Sequence, residues 1–549
     1  MKKLLFTAFM VVFAGINLSI AQYNIENLKF KYGEEITDEK GKLVQIIGES
    51  NNKIYGLGVN KSKNFLKIFS SGEMKLLSNA EIILPEIKDK DLEFEELALV
   101  GGKLYVIGSV YHNKTKTFTL AAIEISESGK LSSNLITLFE AVVAKRSARG
   151  GFYYRKSSDE ERLMVLHASM FEKEDAMKYE VKIFDPAMAT VFSYSEKVGY
   201  DDSKKDFQFL LADFDLNNND DAFIVINESY RDKKAKEKVE KFELLAFKAA
   251  NGYKKEVIKI NFKDKEIINC SMLAVKNNVI QLTGFYSSVR ENGKANKELK
   301  GIFNATVDLN TNKNTNLKFN EFDHATKVKL LGERRANKGK DLKPLYQIQS
   351  IIEKEDGGLI VLSEMRYSYQ GGSSGIGPLQ MTSYVFVSNE IIVTSLKPDG
   401  SLDWCNVVAK EQTAAVSTIS INVFGGGSNG SFAVGAGFGF PVAMLGKGPE
   451  YLGAIPVYEN GQLSIIFNDN KKNKGITDIE EIKPLGNYNN AVPTLFQFDN
   501  SGKITRKDPE EVIKNELVIR PGVFYRKNNK EYLIYSSRKS QDKLGRMTL

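Results

Sequence analysis

Ligand-type residues fall at regular spacing in one stretch of the chain, Asp213-Phe214-Asp215-Leu216-Asn217-Asn218-Asn219-Asp220-Asp221. Side-chain oxygens at Asp213, Asp215, Asn217 and Asp221, with the main-chain carbonyl of Asn219, stand at alternate positions of a tight loop. Calcium is held by hard oxygen ligands in this kind of alternation. These five residues are therefore the candidate Ca2+ ligands. Two features set the stretch apart from an ideal calcium loop: Asn218 stands where glycine is usual, and Asn217 is neutral where an Asp would add charge. The competing chemistry is that of the turn itself, because Asn and Asp side chains hydrogen-bond their own backbone two residues on.

Little else in the sequence concentrates chemistry. The three histidines, His112, His167 and His324, are far apart, and each reads as a loop residue or a satisfied strand residue. There is no histidine pair on a helix, no nucleophile elbow and no cysteine metal spacing. No catalytic residue is assigned. Carboxylates are abundant, so a glycosidase-type pair brought together by folding stays open, since such a pair is defined by separation in space. Cys270 and Cys405 lie in strand-like apolar contexts; they read as two buried free thiols, with pairing as the alternative.

The elements that must position these residues are repeated hairpins. Apolar strand, turn of Asn, Gly, Asp or Glu, and second apolar strand recur eight times, with turn centres near residues 52, 102, 160, 218, 277, 357, 460 and 529. That is the sequence signal of a β-hairpin. A second hairpin follows most copies, seven in all, so each unit holds four antiparallel strands. A four-stranded unit of this size cannot cover both of its faces alone, and radial stacking covers them, which predicts an all-β fold: a β-propeller of eight four-stranded blades. Seven blades with one hairpin inserted is the alternative, and a tandem sandwich array is the architectural rival. The C-terminus has sequence for only a third strand, so the segment 23–30 is expected to supply the fourth and close the ring.

The first 21 residues carry Lys2 and Lys3, an apolar run from Leu4 to Ile16, and small residues at Ser19 and Ala21. This reads as a secretory signal peptide cut before Gln22. The expected mature protein is one propeller domain, residues 22–549, with no membrane anchor and no lipid-modified cysteine, exported to the periplasm, cell surface or medium as a monomer. Without the two leader lysines the formal charge falls from +7 to +5, spread among alternating acids and bases. That excludes a nucleic-acid footprint, which needs a clustered basic stripe. The run Arg231–Lys241 interleaves acids with its lysines and reads as a solvated hairpin tip.

The longest variable connections follow the second strand of each unit, and in a ring they share one end, where binding residues gather. The largest insertion, the glycine-rich stretch at about 424–449, reads as a loop against the ring or an apolar contact for a partner or ligand.

Three resemblances sharpen this reading. The acidic stretch, followed by Ala222-Phe223-Ile224-Val225-Ile226, resembles the calcium loop of integrin-type (FG-GAP/VCBS) propeller repeats. The segment Leu396–Gln412 resembles the Asp-Gly-x-x-x-Trp turn of quinoprotein-like propellers; Trp404 is the chain's one tryptophan, so a quinone cofactor is not expected. Over nearly all of its mature length the chain resembles exported, uncharacterised propeller-type proteins of Gram-negative bacteria. The function expected is non-enzymatic binding of a protein, glycan or envelope component through the loop-bearing end. The alternatives are a polysaccharide hydrolase or lyase using carboxylates in the central funnel, and an adhesion or assembly scaffold.

Overall fold

The computed structural model describes residues 22–37, 40–60, 63–171, 176–199, 204–234, 238–262, 265–275, 278–288, 298–374, 381–418, 448–508, 518–538 and 541–549. The leader and most of the glycine-rich insertion lie outside the described residues. The strands form eight antiparallel sheets, each built in chain order from two consecutive hairpins, apart from the fifth, which adds the short strand Lys265–Ile267, and the last, which combines both chain ends. Their first strands are Lys42–Ser50, Glu93–Val100, Gly151–Lys156, Lys204–Leu216, Ser271–Val275, Tyr346–Glu353, Ile455–Glu459 and Val518–Arg526. The chain is a β-propeller with eight blades rather than seven.

Blade contact explains why the strands read as apolar runs rather than as alternating ones. In Lys103–His112 every residue after Lys103 is buried, because each face of a middle strand is covered by a neighbouring blade. A separate apolar cluster fills the gap between each pair of consecutive blades. Ile47, Leu57 and Ile68 of blade 1 meet Leu97, Leu104 and Val106 of blade 2. The ring closes where Leu43, Ile54 and Phe69 of blade 1 meet Val523, Leu533 and Tyr535 of blade 8. First strands of neighbouring blades touch around much of the ring, which places them innermost, along the axis.

The expected closing strand is present. Leu28–Tyr32 pairs with Gln541–Thr548 in the register Lys29↔Thr548 to Tyr32↔Gly545. Gln22–Ile25 then folds back as a fifth, outer strand. Joining the two ends of the chain in one sheet makes the ring a single cooperative unit, and Tyr32 Oη to Ser536 Oγ at 2.8 Å fastens it from the side-chain layer.

Turn chemistry follows the sequence closely. Asn51 and Asn52 both take positive φ, as do Gly101 and Gly102, giving two-residue hairpin turns whose twist matches the strands. At Gly101 a Cβ would also lie 2.5 Å from the ring of Pro186, so only glycine lets blades 2 and 3 meet there. The first-to-second and third-to-fourth strand turns lie at one end of the ring. Second-to-third loops and interblade connections lie at the other. That second end carries the helix His324–Leu331, capped by Asp323 accepting from Thr326 N at 2.7 Å, and the connection 471–490. Arg231–Lys241 is a hairpin tip, joining strands Ala222–Asp232 and Lys238–Phe247. Among the described residues no helix is long and apolar enough to cross a membrane.

Candidate axial binding site

The acidic stretch divides where its strand ends. Asp213 and Asp215 belong to the innermost strand of blade 4, Lys204–Leu216, whereas Asn217, Asn219 and Asp221 form the turn beyond it. Asn217 Oδ1 accepts from Asn219 N at 2.9 Å and Asp221 N at 3.0 Å, and its amide donates to Asp221 Oδ2 at 2.9 Å. The other oxygen of Asp221 accepts from Ala249 N at 2.9 Å, tying the turn to the next hairpin of the blade. The left-handed residue of the turn is Asp220, φ +63, not Asn218, which stands where a calcium loop usually has glycine. Arg162 of blade 3 pairs with Asp220 at 2.8 Å. Among the described residues no group of three or more His, Cys, Asp or Glu side chains could hold a metal ion.

Asp213 and Asp215 are among the partly buried carboxylates on the inner strands of blades 2 and 4. Asp213 accepts from Phe214 N and from Met272 N of blade 5, each at 2.9 Å, with Arg155 at 3.5 Å. Burial raises its pKa against those partners, and burial with the neighbouring Asp213 charge pushes Asp215 up to about 6. On blade 2, burial pushes Glu96 up to about 7 although Gln45 of blade 1 donates to it at 3.2 Å. Burial also raises Glu95, which accepts from Ser109. Tyr154 of blade 3 lies near both glutamates, and its hydroxyl has no hydrogen-bond partner. Lys156 binds Ile47 O at 3.2 Å and Glu160 at 2.6 Å, and Tyr525 of blade 8 donates to Glu160 at 2.9 Å. This bridge links blades 1, 3 and 8 at the turn end of the axis.

On the opposite side of the ring the inner strands part to leave a cavity of about 300 Å³ between blades 6, 7 and 8. Its cause is legible in the strand of blade 8. Pro521 lacks an N–H for the ladder, and pairing with strand Glu531–Arg538 jumps from Ile519 to Phe524. Pro456 and Ala454 of blade 7, Phe524 and Tyr532 of blade 8, and Leu362 of blade 6 supply apolar walls. Glu364, Arg366 and Arg526 are the charged residues of the lining.

Glu364 and Arg366 are two residues apart on strand Leu359–Ser374, so their side chains share a face, and a register shift lies between them. Glu364 is 1% exposed. Its Oε1 accepts from Ser388 Oγ at 2.8 Å and faces Lys410 Nζ at 2.7 Å, while Oε2 accepts from Arg366 Nε. Burial alone would raise the carboxyl, but Lys410 and then Arg366 outweigh it and hold Glu364 below the usual carboxylate range. Lys410, also buried, donates to Ser388 O at 2.6 Å and Gln412 Oε1 at 3.1 Å. Gln412 accepts from Gly453 N at 2.9 Å and donates to Asn468 O at 2.7 Å, and Asn468 donates to Ile519 O at 2.6 Å. One polar chain thus fixes the three blades around the cavity.

The sequence reading missed this set. The available signal was an ionisable residue interrupting an apolar strand, Glu364 in LIVLSEM and Lys410 in NVVAKEQ; which of many such residues converge is set by the strand register within the blade. The remaining residues of interest have structural roles. Cys270 is buried and Cys405 half-buried, both as free thiols. His167 binds Arg149 O at 2.8 Å, and burial pushes it down to about 4, so it is neutral at physiological pH. Trp404 stacks on Phe498 of blade 7 at 5.7 Å and donates to Asn500 O at 3.1 Å.

No protein-family model matches the chain, and no curated protein sequence matches it. Among solved structures it is similar to the Dos1 propeller, at 9% identity over 94% of each chain with a TM-score of 0.37. It is also similar to the polysaccharide lyase Uly1, at 9% identity over 94% of this chain and 92% of that one, TM-score 0.33. A puromycin hydrolase matches 63% of this chain at 8% identity and a TM-score of 0.29, and the match spans 58% of the hydrolase's length. These likenesses carry no argument about function. The fold rests on the strand pairing of the chain itself.

Proposed function

We propose that this protein is an exported, non-enzymatic binding propeller whose ligand, a small molecule or one unit of a glycan, occupies the cavity between blades 6, 7 and 8. The observation that carries this reading is the cavity's construction. Its volume lies at the lower end of the range of about 300–1,000 Å³ usual for ligand pockets, and it combines apolar walls with a few fixed polar groups. Its single lining carboxylate is held ionised by two cations, which suits a fixed electrostatic wall better than proton transfer. The cavity reaches Leu452, on the connection that leads into blade 7. Export belongs to the same proposal and rests on the leader-like pattern of the first 21 residues.

The test is a thermal-shift panel of neutral and acidic sugars on the secreted chain, whose N-terminus is checked to be Gln22, beside Ala454→Leu, which fills the cavity from its wall. The reading expects at least one sugar to raise the Tm of the native protein and not of the variant. A panel without any shift overturns it.

A second reading draws on blades 2 and 4, where loss of hydration pushes Glu96 up to about 7 and Asp215 up to about 6, toward the range of a general acid. It assigns a polysaccharide hydrolase or lyase activity. New reducing ends or unsaturated uronate products, absent in Glu96→Gln, would establish it in place of the first.

A further inference from the structure

Resting on the reading of the cavity as a ligand site, we infer that the ligand bears a carboxylate, gripped by Arg366. The guanidinium of Arg366 is oriented from behind. Its Nε donates to Glu364 Oε2, and the other oxygen of Glu364 is occupied by Lys410 and Ser388. Lys410 neutralises Glu364, so the carboxylate orients Arg366 without cancelling its charge. Among the described residues neither Nη atom of Arg366 has a hydrogen-bond acceptor, and the side chain retains 20% exposure.

Space for this edge of the guanidinium is kept by Gly453, where a Cβ would lie 2.5 Å from Nη2. Gly453 has φ +93, a conformation that side-chain-bearing residues rarely adopt, and its N–H is held by Gln412 of the same polar chain. The backbone is thus fixed where a larger residue would push Arg366 away. A guanidinium tied at Nε, with no acceptor on either Nη atom among the described residues, presents two parallel donors, the geometry that matches the two oxygens of a carboxylate.

The remaining lining narrows the class of ligand. Arg526 adds a second guanidinium and no uncompensated carboxylate faces it in the cavity, so the site favours an anion. Phe524 and Tyr532, with ring centroids 6.5 Å apart, and Pro456 and Pro521 offer flat apolar surface. The fit is a ring carrying one carboxylate, as in a uronic acid or an aromatic acid, rather than a free inorganic anion, which would leave these walls without a partner.

Calorimetric titration of the secreted chain with galacturonate, galactose, benzoate, benzamide and inorganic phosphate tests the inference. At least one acid is expected to bind about tenfold or more tightly than its neutral counterpart, through the charge-assisted bonds that only the acid makes. Arg366→Met is expected to remove that preference. Arg366→Lys, which keeps the ion pair with Glu364 and so the fold, is expected to weaken it, because an ammonium cannot make the paired contact.

Equal binding of acid and neutral compound, or an unchanged preference in both folded variants, overturns the carboxylate while the cavity reading stands. Phosphate binding as tightly as the acids overturns the ring-bearing class. If no compound binds, and the sugar panel also gives no shift in the native protein, both inferences fall together.

Discussion

Two arcs of the same ring hold carboxylates out of water in opposite ways. In blades 6 to 8 Glu364 is buried with Lys410 and Arg366 and stays ionised. In blades 2 and 4 the partly exposed Glu95, Glu96, Asp213 and Asp215 have fewer close cations, and loss of hydration raises the pKa of each. A buried acid must either be paired or keep its proton. The propeller uses both solutions, and the difference separates a fixed charged wall, suited to recognition, from acids poised to exchange protons.

The sharpest way to break this comparison is to remove Lys410. Lys410→Met leaves Glu364 buried with Arg366 alone and is expected to destabilise the protein by about 3–5 kcal/mol in chemical denaturation, whereas the double variant Glu364→Met/Lys410→Met should recover much of the loss. A single variant as stable as the native protein would mean that the pair is not closed to water.

The corresponding change on the other arc should have the opposite sign. The folded protein holds the Glu96 proton up to about pH 7, while the ordinary value is 4.5. Its contribution to stability is therefore fully present below the ordinary value and lost as pH rises through the folded one. Glu96→Gln is expected to stabilise by about 1 kcal/mol or more above neutrality and to flatten the decline of Tm across that window. Glu49 is the internal control. Burial is outweighed there by Arg546, Ser71 and Lys527, which hold it at about 2, so its stabilisation is fully present above 4.5 and lost as pH falls from 4.5 through about 2.

The smallest effect concerns the turn beyond Asp215. Asn217→Ala removes the acceptor of two backbone N–H groups and is expected to cost about 1 kcal/mol, read as a lower Tm. Because the side-chain oxygens of Asn217 and Asp221 already accept from the turn and from Ala249 N, millimolar calcium is expected to leave the native Tm unchanged. A calcium-dependent rise lost in Asn217→Ala would instead make the five-residue ligand set a working site.

Much of the architecture was legible because it is local. Asn51-Asn52 and Gly101-Gly102 announce their turns through backbone conformations that few other residues tolerate, and the count of hairpins was enough for eight blades and for a closing strand from the N-terminal segment. The candidate site was far less legible. Asp213 to Asp221 drew attention by their spacing, yet the end of one strand divides them between the axis and the rim. Glu364 and Lys410, forty-six positions apart, carry no mark of their meeting.

The sequence by itself determined the repeating unit, its turns and the way the ring closes, since those depend on side-chain alternation and on residues a few positions apart. Only the tertiary structure decided which charges face one another. Glu364 and Arg366 lie on the second strand of blade 6 and Lys410 on its fourth, so their meeting depends on the register of strands far apart in the chain. The partners of Glu96 and Asp213, Gln45 of blade 1 and Met272 of blade 5, depend instead on how neighbouring blades pack.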